Sequence, residues 1–100
     1  MGASCEVAYS TVKGGQHVFI KSLAKELGPS NIYVNGVSPG FIDTKMNNML
    51  TDDEKNELVQ EIPLQRAGTV QDVADAVQFL CGDHSSYIQG EIIRVNGAWS

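Results

Sequence analysis

A run of strand-forming residues between two stretches with helical spacing constrains the fold more than any other feature of this chain. Ile32 to Val37 is rich in β-branched residues, which favour a strand, and Ser38-Pro39-Gly40 stops it. A final strand is expected from about Glu91 to Val95. Because strands and helices alternate along the chain, the sequence predicts a parallel α/β arrangement with a crossover connection.

The first predicted helix is long, running from about Cys5 or Glu6 to Leu27. Gly28-Pro29 ends it, with the glycine as a left-handed cap and the proline preventing continuation. Gly14 and Gly15 would lie inside this helix, either as tolerated weak points or as places of close approach by a backbone or a ligand. The apolar stripe that supports the helix contains Val12, Phe19, Leu23 and Leu27, with Val18, Ile20 and Ala24 beside them.

Two further helices are expected after the first strand. Phe41 to Leu50 shows no clear period and is predicted to be a loop or short helix. Thr51-Asp52-Asp53-Glu54 is a capping box, which predicts a helix from about Asp52 to Gln60. Thr69 opens the next helix and Gly82 closes it.

These elements predict an α/β fold in the order helix–strand–helix–helix–strand, within a single domain over residues 1–100. Two strands make a poor sheet by themselves, and parallel strands are normally flanked by others. The pattern therefore resembles the edge of a larger sheet.

Composition excludes several classes of partner. The net charge of −5 and the absence of a Lys or Arg cluster argue against nucleic-acid binding. There is no signal peptide and no apolar run long enough to span a bilayer, which favours the cytoplasm. Cys5 and Cys81 are predicted to be reduced, buried thiols, with a disulfide as the alternative. The sequence lacks the ligand spacing of a zinc site, and no metal is expected.

Tyr9 and Lys13 stand four residues apart, one turn of the expected helix. An ammonium group beside a phenol favours the phenolate and lowers the tyrosine pKa, so this tyrosine could exchange a proton near neutral pH. Alternatively, Tyr9 simply caps a contact between helices.

Several motifs in a fixed order resemble the C-terminal part of the short-chain dehydrogenase/reductase family, most closely its 3-oxoacyl-carrier-protein reductases, over almost all of the chain. The first is the Tyr9-x-x-x-Lys13 pair. The others are Ile32-Tyr33-Val34-Asn35-Gly36-Val37-Ser38-Pro39-Gly40, Phe41-Ile42-Asp43-Thr44, Pro63-Leu64-Gln65-Arg66-Ala67-Gly68, Asp72-Val73-Ala74 and Tyr87-Ile88-Gln89-Gly90-Glu91-Ile92-Ile93-Arg94-Val95-Asn96-Gly97.

The resemblance implies that the fold is the C-terminal part of a doubly wound (Rossmann-like) parallel sheet. It also implies NAD or NADP as cofactor and a carbonyl compound, alcohol or acyl thioester as substrate. Tyr9 would be the general acid or base, and Lys13 would lower its pKa and bind the nicotinamide ribose. Pro39 and Gly40 would let the backbone approach the nicotinamide. Its carboxamide would be met by the backbone of Ile42 and by the hydroxyl or backbone of Thr44.

The same resemblance implies a mobile substrate lid over residues 45–64, with Met46, Met49 and Leu50 as apolar candidates for its lining. Simpler interpretations exist for most of these positions. Pro39-Gly40 can be only a turn, Thr44 can satisfy loop backbone, and the methionines can be packing residues. The acidic residues Asp52, Asp53, Glu54 and Glu57 most simply form a solvated helix face.

Features of the family's N-terminal half have no match in this sequence. They are the glycine-rich nucleotide turn, the residue that selects the cofactor, the catalytic serine and the catalytic asparagine. The resemblance therefore implies that Met1-Gly2 begins within a larger fold and that the chain alone lacks reductase activity. Two alternatives remain open: a non-catalytic module that forms a homo-oligomer or binds a partner, and a small binding module of another α/β fold.

Overall fold

The computed structural model describes residues 4–9, 15–44 and 49–99, and within them three parallel strands form one sheet. The strands are β1 (Ser4–Tyr9), β2 (Ile32–Pro39) and β3 (Ile92–Val95), and they lie in the order β1-β2-β3. The α/β class and the parallel sheet are confirmed. The strand count was too low by one, because β1 was predicted to be helical.

Three α-helices accompany the sheet: α1 (Gly15–Leu27), α2 (Asp52–Glu61) and α3 (Val70–Cys81). Short 3₁₀ helices cover Gly28–Ser30 and Asp83–Ser85. The observed order is therefore strand, helix, strand, helix, helix, strand. Every predicted element after residue 15 is found within two residues of its expected bounds.

The predicted start of the first helix is wrong. Residues 4–9 pair in parallel with β2, from Ser4 opposite Ile32 to Tyr9 opposite Val37. Such pairing satisfies backbone groups that the first turn of a helix would leave without partners. Exposed Ser4 and Glu6 alternate with half-buried Cys5 and Val7, the period of a strand. Gly15 opens α1 instead of lying inside it.

The core lies between α1 and β2. Four consecutive residues of β2, Val34 to Val37, are buried, as expected for a central parallel strand with both faces covered. Ile20 and Ala24 of α1 are buried against Val34. Leu23, Leu27, Ile32 and Ile92 complete this cluster.

Only one side of the predicted apolar stripe of α1 is buried. Ile20, Leu23, Ala24 and Leu27 follow the i, i+3, i+4, i+7 spacing and face the sheet. Phe19, which the sequence placed in the stripe, is 60 % exposed, and Val18 is 65 % exposed. Val18 lies on the side of the helix opposite the buried row, and Phe19 lies on the flank, one turn before Leu23, where the sheet does not cover it.

Capping boxes fix both later helices, as predicted for α2. Thr51 Oγ1 accepts from the N–H of Glu54 at 3.1 Å, and a Glu54 carboxylate oxygen accepts from the N–H of Thr51 at 3.1 Å. Thr69 and Asp72 make the same reciprocal pair at 3.0 and 2.8 Å at the start of α3. Each box satisfies two N–H groups that a helix start otherwise leaves unpaired.

The predicted left-handed cap at Gly28 is wrong. Gly28 begins a 3₁₀ turn, and Asn31 adopts the left-handed conformation, with φ of 60°. Asparagine tolerates this region better than most residues because its short polar side chain bonds locally. The Asn31 N–H donates to the Gly28 carbonyl at 2.8 Å, which closes the turn into β2.

Two side-chain amides fasten the segment before β3 onto β2. The amide of Gln89 donates to the carbonyls of Ala24 (2.9 Å) and Ile32 (3.0 Å), and its oxygen accepts from the Val34 N–H (2.8 Å). Asn35, 1 % exposed, donates to the Ile88 carbonyl, and its oxygen accepts from the Glu91 N–H at 3.0 Å. These bonds satisfy buried polar groups that would otherwise destabilise the fold.

The prediction of reduced thiols is wrong: Cys5 of β1 and Cys81, the last residue of α3, form a disulfide. Their Cα atoms lie 5.4 Å apart, within the usual range for the bond. The sequence separation of 76 residues gave no local signal for it. The strand conformation of residues 4–9 brings Cys5 beside the end of α3.

Candidate active site at the carboxyl edge of the sheet

The carboxyl ends of the three parallel strands meet at one edge of the sheet. Tyr9 ends β1 opposite Val37, two residues before Pro39 ends β2. Pro39 in turn is the partner of Val95, which ends β3. Open parallel sheets bind their ligands at this edge, so the fold alone marks it as the candidate site.

Pro39 is placed where its missing N–H does not weaken the sheet. β1 ends opposite Val37, so Pro39 extends past the neighbouring strand on that side. Proline is tolerated in sheets at such unpaired positions. The next residue, Gly40, continues the ladder on the other side by donating to the Val95 carbonyl at 2.9 Å.

The Tyr9–Lys13 geometry expected from the sequence is not found for Tyr9. Its backbone is in a strand, so the shared helical turn proposed for the pair is wrong for this residue. Lys13 lies outside the described residues. The backbone of Tyr9 nonetheless stands at the same edge of the sheet as Pro39 and Gly40, the two positions that the resemblance places beside a nicotinamide.

Gly40 is required by a close approach within the chain. A Cβ at this position would lie 2.7 Å from Cβ of Asn96 and 2.8 Å from its Cα. Such distances are shorter than real contacts between carbon atoms, and the backbone on one side cannot move away easily. The observed neighbour of Gly40 is thus the turn after β3.

After Gly40 the chain turns toward the segment that precedes α3. Ile42 forms an isolated parallel bridge with Gly68, through the Asp43 N–H on the Gly68 carbonyl and the Gly68 N–H on the Phe41 carbonyl, both 2.9 Å. Thr44 follows and is half-buried. The bridge places Ile42, and Thr44 after it, beyond the end of β2. Their roles toward a cofactor stay predictions.

A cavity of about 190 Å³ opens beside this edge. An ion pair lies in its wall: Arg66 Nη1 donates to Asp72 Oδ2 at 3.0 Å. The N–H of Thr69 and, after it, the guanidinium of Arg66 hold the pKa of Asp72 below its ordinary value of 3.8. The cavity is also lined by Phe41, Leu64, Gly68 and Asn96.

Sequence reasoning did not single out Arg66 or Asn96 as lining residues. Asp72 carried a readable signal, because Thr69 three residues before it completes the pattern of a capping box. No comparable signal exists for Arg66, which reaches Asp72 across the turn between α2 and α3. Asn96 is identified only by its contact with Gly40.

The predicted lid contains α2, which spans ten of its residues. Met49 is 93 % exposed and Leu50 is half-buried, while Met46 lies outside the described residues. Because Met49 is so exposed, its side chain does not pack against the described part of the chain. Its lining role stays a prediction.

Two negative findings concern the described residues alone. No group of three or more His, Cys, Asp or Glu side chains among them is placed to hold a metal ion. In the same ranges, none of the helices has both the length and the apolar character needed to cross a membrane.

The edge fits one end of a dinucleotide. Pro39 ends β2, Ile42 and Thr44 follow it, and Tyr9 ends the neighbouring strand at the same edge. This is where a nicotinamide would meet backbone and hydroxyl groups. For the pyrophosphate end, the sequence offers no Gly-x-Gly-x-x-Gly motif of the kind that binds phosphate at a helix N-terminus, and residues 10–14, between β1 and α1, lie outside the described residues. The fit is therefore to the reacting end of the cofactor.

Comparison with known proteins agrees with this geometry. The family model described as enoyl-(acyl carrier protein) reductase matches residues 1–100. An uncharacterized oxidoreductase of Bacillus subtilis is 55% identical over 98 residues, and the 3-oxoacyl-[acyl-carrier-protein] reductase of Aquifex aeolicus is 51% identical over 92 residues. These matches cover 98% and 92% of this chain but only 40% and 37% of the two relatives, so the chain spans about two fifths of their length.

A solved structure gives the same result for the fold. It is a protein of Agrobacterium tumefaciens described as a 2-deoxy-D-gluconate 3-dehydrogenase with bound NADP. The TM-score is 0.82 at 28% sequence identity, and the match covers 98% of this chain and 46% of that one. On the motifs, the fold and these matches together, the chain belongs to the short-chain dehydrogenase/reductase family.

Proposed function

We propose that residues 1–100 form the part of an NAD(P)-dependent oxidoreductase that carries its proton-transfer pair, in an enzyme that reduces a carbonyl group or oxidises a secondary alcohol. The observation that supports this best is the position of Tyr9 and the Pro39–Gly40 turn at one carboxyl edge. The 51% identity to a 3-oxoacyl-[acyl-carrier-protein] reductase favours a 3-oxoacyl thioester as substrate.

In this proposal Tyr9 donates its phenolic proton to the substrate carbonyl oxygen, or removes the alcohol proton in the reverse reaction. Lys13 keeps the tyrosine acidic enough through its positive charge and binds the nicotinamide ribose. Ile42 and Thr44 orient the carboxamide. The bound NADH or NADPH supplies the hydride.

The proposal includes a negative expectation for the chain alone. Its residues supply only the reacting end of the cofactor site, so we expect no oxidation of NADPH by the purified 100-residue chain with an acetoacetyl thioester. Absorbance at the nicotinamide band measures this directly. Measurable turnover would contradict the expectation that the missing glycine-rich turn is needed.

A chimera tests the role of Tyr9. The matched region of the Aquifex reductase is replaced by this chain, and NADPH oxidation with an acetoacetyl thioester is measured for Tyr9→Phe. Loss of a general acid lowers the rate by about 100-fold or more. Tyr87→Phe is the matched control, because Tyr87 is 102 % exposed, and we expect it to keep at least half of the activity.

A Tyr9→Phe chimera with an undiminished rate would rule out Tyr9 as the acid. Lys13→Met provides the second test. In the reduction assay Tyr9 acts in its protonated form, so a raised tyrosine pKa moves the falling limb of the rate profile to higher pH. A Lys13→Met chimera with an unchanged pH profile would assign Lys13 to ribose binding alone. Both variants are compared at equal protein concentration after their folding has been checked by circular dichroism.

A second candidate function, an assembly module, is favoured by the outer side of α1. Val18 and Phe19 are 65 % and 60 % exposed, and the exposure of two neighbouring apolar side chains to water is unfavourable. We propose that this side contributes to a homo-oligomer. Light scattering should show a mass that rises with concentration and falls for Phe19→Lys. A monomer at every concentration would contradict it.

A further inference from the structure

Two attachments hold β1 among the residues that the structure describes. Its backbone pairs with β2, and the Cys5 sulfur is bonded to Cys81. Among its described side chains, Ser4 and Glu6 are exposed, and Cys5 and Val7 are half-buried. Without a fully buried side chain, packing contributes little to holding this strand.

The disulfide is open to small molecules in solution. Cys81 is exposed at the end of α3. Both cysteines also line a cavity of about 190 Å³ whose other walls include Tyr33, Asp83 and Ser85. Thiol–disulfide exchange requires access of the attacking sulfur to a disulfide sulfur, and this cavity provides it at Cys81.

We propose that the Cys5–Cys81 bond is a thiol-exchange site, and that its reduction by a low-molecular-weight dithiol releases residues 4–9 from the sheet while β2 and β3 stay paired. The reduced segment is then free to adopt the helical conformation that its sequence predicts. The consequence for catalysis, through the position of Tyr9, rests on the proposed function. The release of the strand does not.

The exchange proceeds in two balanced steps. A thiolate of the dithiol attacks Sγ of Cys81, the S–S bond breaks, and the electron pair leaves on Sγ of Cys5, which takes a proton from water. The second thiol of the reagent, as its thiolate, then attacks the reagent's sulfur in the mixed disulfide and releases Cys81 as a thiol. Both cysteines are reduced, and the dithiol is oxidised to its cyclic disulfide.

The arrangement explains why two predictions from one segment failed together. The pattern of residues 4–9 suits a helix, and the thiols were expected to be reduced. The structure has a strand and a disulfide in the same place. A strand with no fully buried side chain among its described residues 4–7 is an element that a single covalent bond can hold or release.

Amide hydrogen exchange measured by NMR on the 100-residue chain tests the proposal. Spectra are recorded with the disulfide intact and after treatment with dithiothreitol, with mass spectrometry confirming the gain of two hydrogens. We expect exchange of the amides in residues 4–9 to become at least about tenfold faster on reduction. The amides of Gly36 and Gly40, bonded to the Glu91 and Val95 carbonyls, should change by less than about twofold.

The double variant Cys5→Ser/Cys81→Ser is the matched control. It should exchange like the reduced chain and be insensitive to dithiothreitol. Unchanged protection of residues 4–9 after full reduction would overturn the proposal, and so would loss of protection at Gly36 and Gly40 in the same step. A folded chain whose disulfide resists excess dithiothreitol would overturn it as well. None of these outcomes depends on whether Tyr9 is catalytic, so failure here leaves the proposed activity standing.

Discussion

β1 and β2 are neighbours in one ladder, yet they are held by different forces. β2 is central, buries four consecutive residues and is bonded by Gln89 and Asn35 to the segment before β3. β1 is at the edge, has no fully buried side chain among those described and depends on its pairing and a disulfide. The position of β2 is thus fixed by the burial of its side chains, whereas the position of β1 is fixed by backbone pairing and a disulfide.

The largest expected difference comes from placing a charge in each strand. Val37 is 0% exposed, so Val37→Asp buries a carboxylate without a partner and should lower the free energy of unfolding by about 4 kcal/mol or more. Val7→Asp, at a half-buried position of β1, should lower it by about 1 kcal/mol. Urea unfolding followed by circular dichroism measures both, and equal losses would contradict the distinction between the strands.

Gln89→Leu tests the polar attachment that β2 has and β1 lacks. The substitution leaves the Val34 N–H and the carbonyls of Ala24 and Ile32 without their side-chain partner, so we expect a loss of about 2–3 kcal/mol in urea unfolding. Gln78→Leu, at an exposed position of α3, is the control and should change stability by less than about 0.5 kcal/mol. If the two substitutions have the same effect, the amide of Gln89 does not fasten β2.

The smallest predicted effect on stability is at Asp72 of α3, the helix that contacts both β1 and β2. The pKa of Asp72 is lower in the folded chain than its ordinary value of 3.8, because the carboxylate accepts from the Thr69 N–H and then from Arg66. The ionised group therefore stabilises the fold above that value, and the contribution is lost as the pH falls through the lower folded pKa. At near-neutral pH, Asp72→Asn should melt slightly below the wild type.

Melting curves of the wild type and Asp72→Asn at a series of pH values measure this difference. We expect the gap between the two melting temperatures to close below about pH 3.8, where the unfolded carboxyl is protonated and the folded one becomes so. Asp75→Asn, in the same helix but beyond its first turn, is the matched control for loss of charge. A constant gap down to the lowest pH would show that the ionised carboxylate contributes nothing.

The same contrast explains what the sequence could predict. β2 was readable because its β-branched residues Ile32, Val34 and Val37 favour a strand, and Ser38-Pro39-Gly40 limits its length. α2 and α3 were readable from local capping residues, Thr51 and Thr69. These signals lie within a few residues of the element that they specify.

β1 was not readable in this way. Residues 4–7 alternate as a strand does, but the segment also extends the helical pattern of α1. An edge strand has too few buried positions to decide between the two. What fixes it is pairing with residues 32–37 and a bond to Cys81, contacts distant in sequence. The placement of Tyr9 failed for this reason.

The candidate site also contains features that local sequence signals predict and features that depend on contacts between separate segments. Pro39 ends β2, and Ile42 and Thr44 follow it, because a strand and a turn, both local, place them there. The Arg66–Asp72 ion pair and the contact between Gly40 and Asn96 join separate segments, and neither left a pattern in the sequence. Local sequence signals therefore predict which residues lie at the carboxyl edge of the sheet, whereas the contacts of those residues depend on packing between distant segments.

The crowding at Gly40 has a practical consequence for anyone who wishes to reshape this edge by directed evolution. A library that varies position 40 would consist almost wholly of misfolded members, since even a methyl group meets the main chain of Asn96 at 2.8 Å. Thr44, half-buried and past the strand, is a better place to introduce diversity.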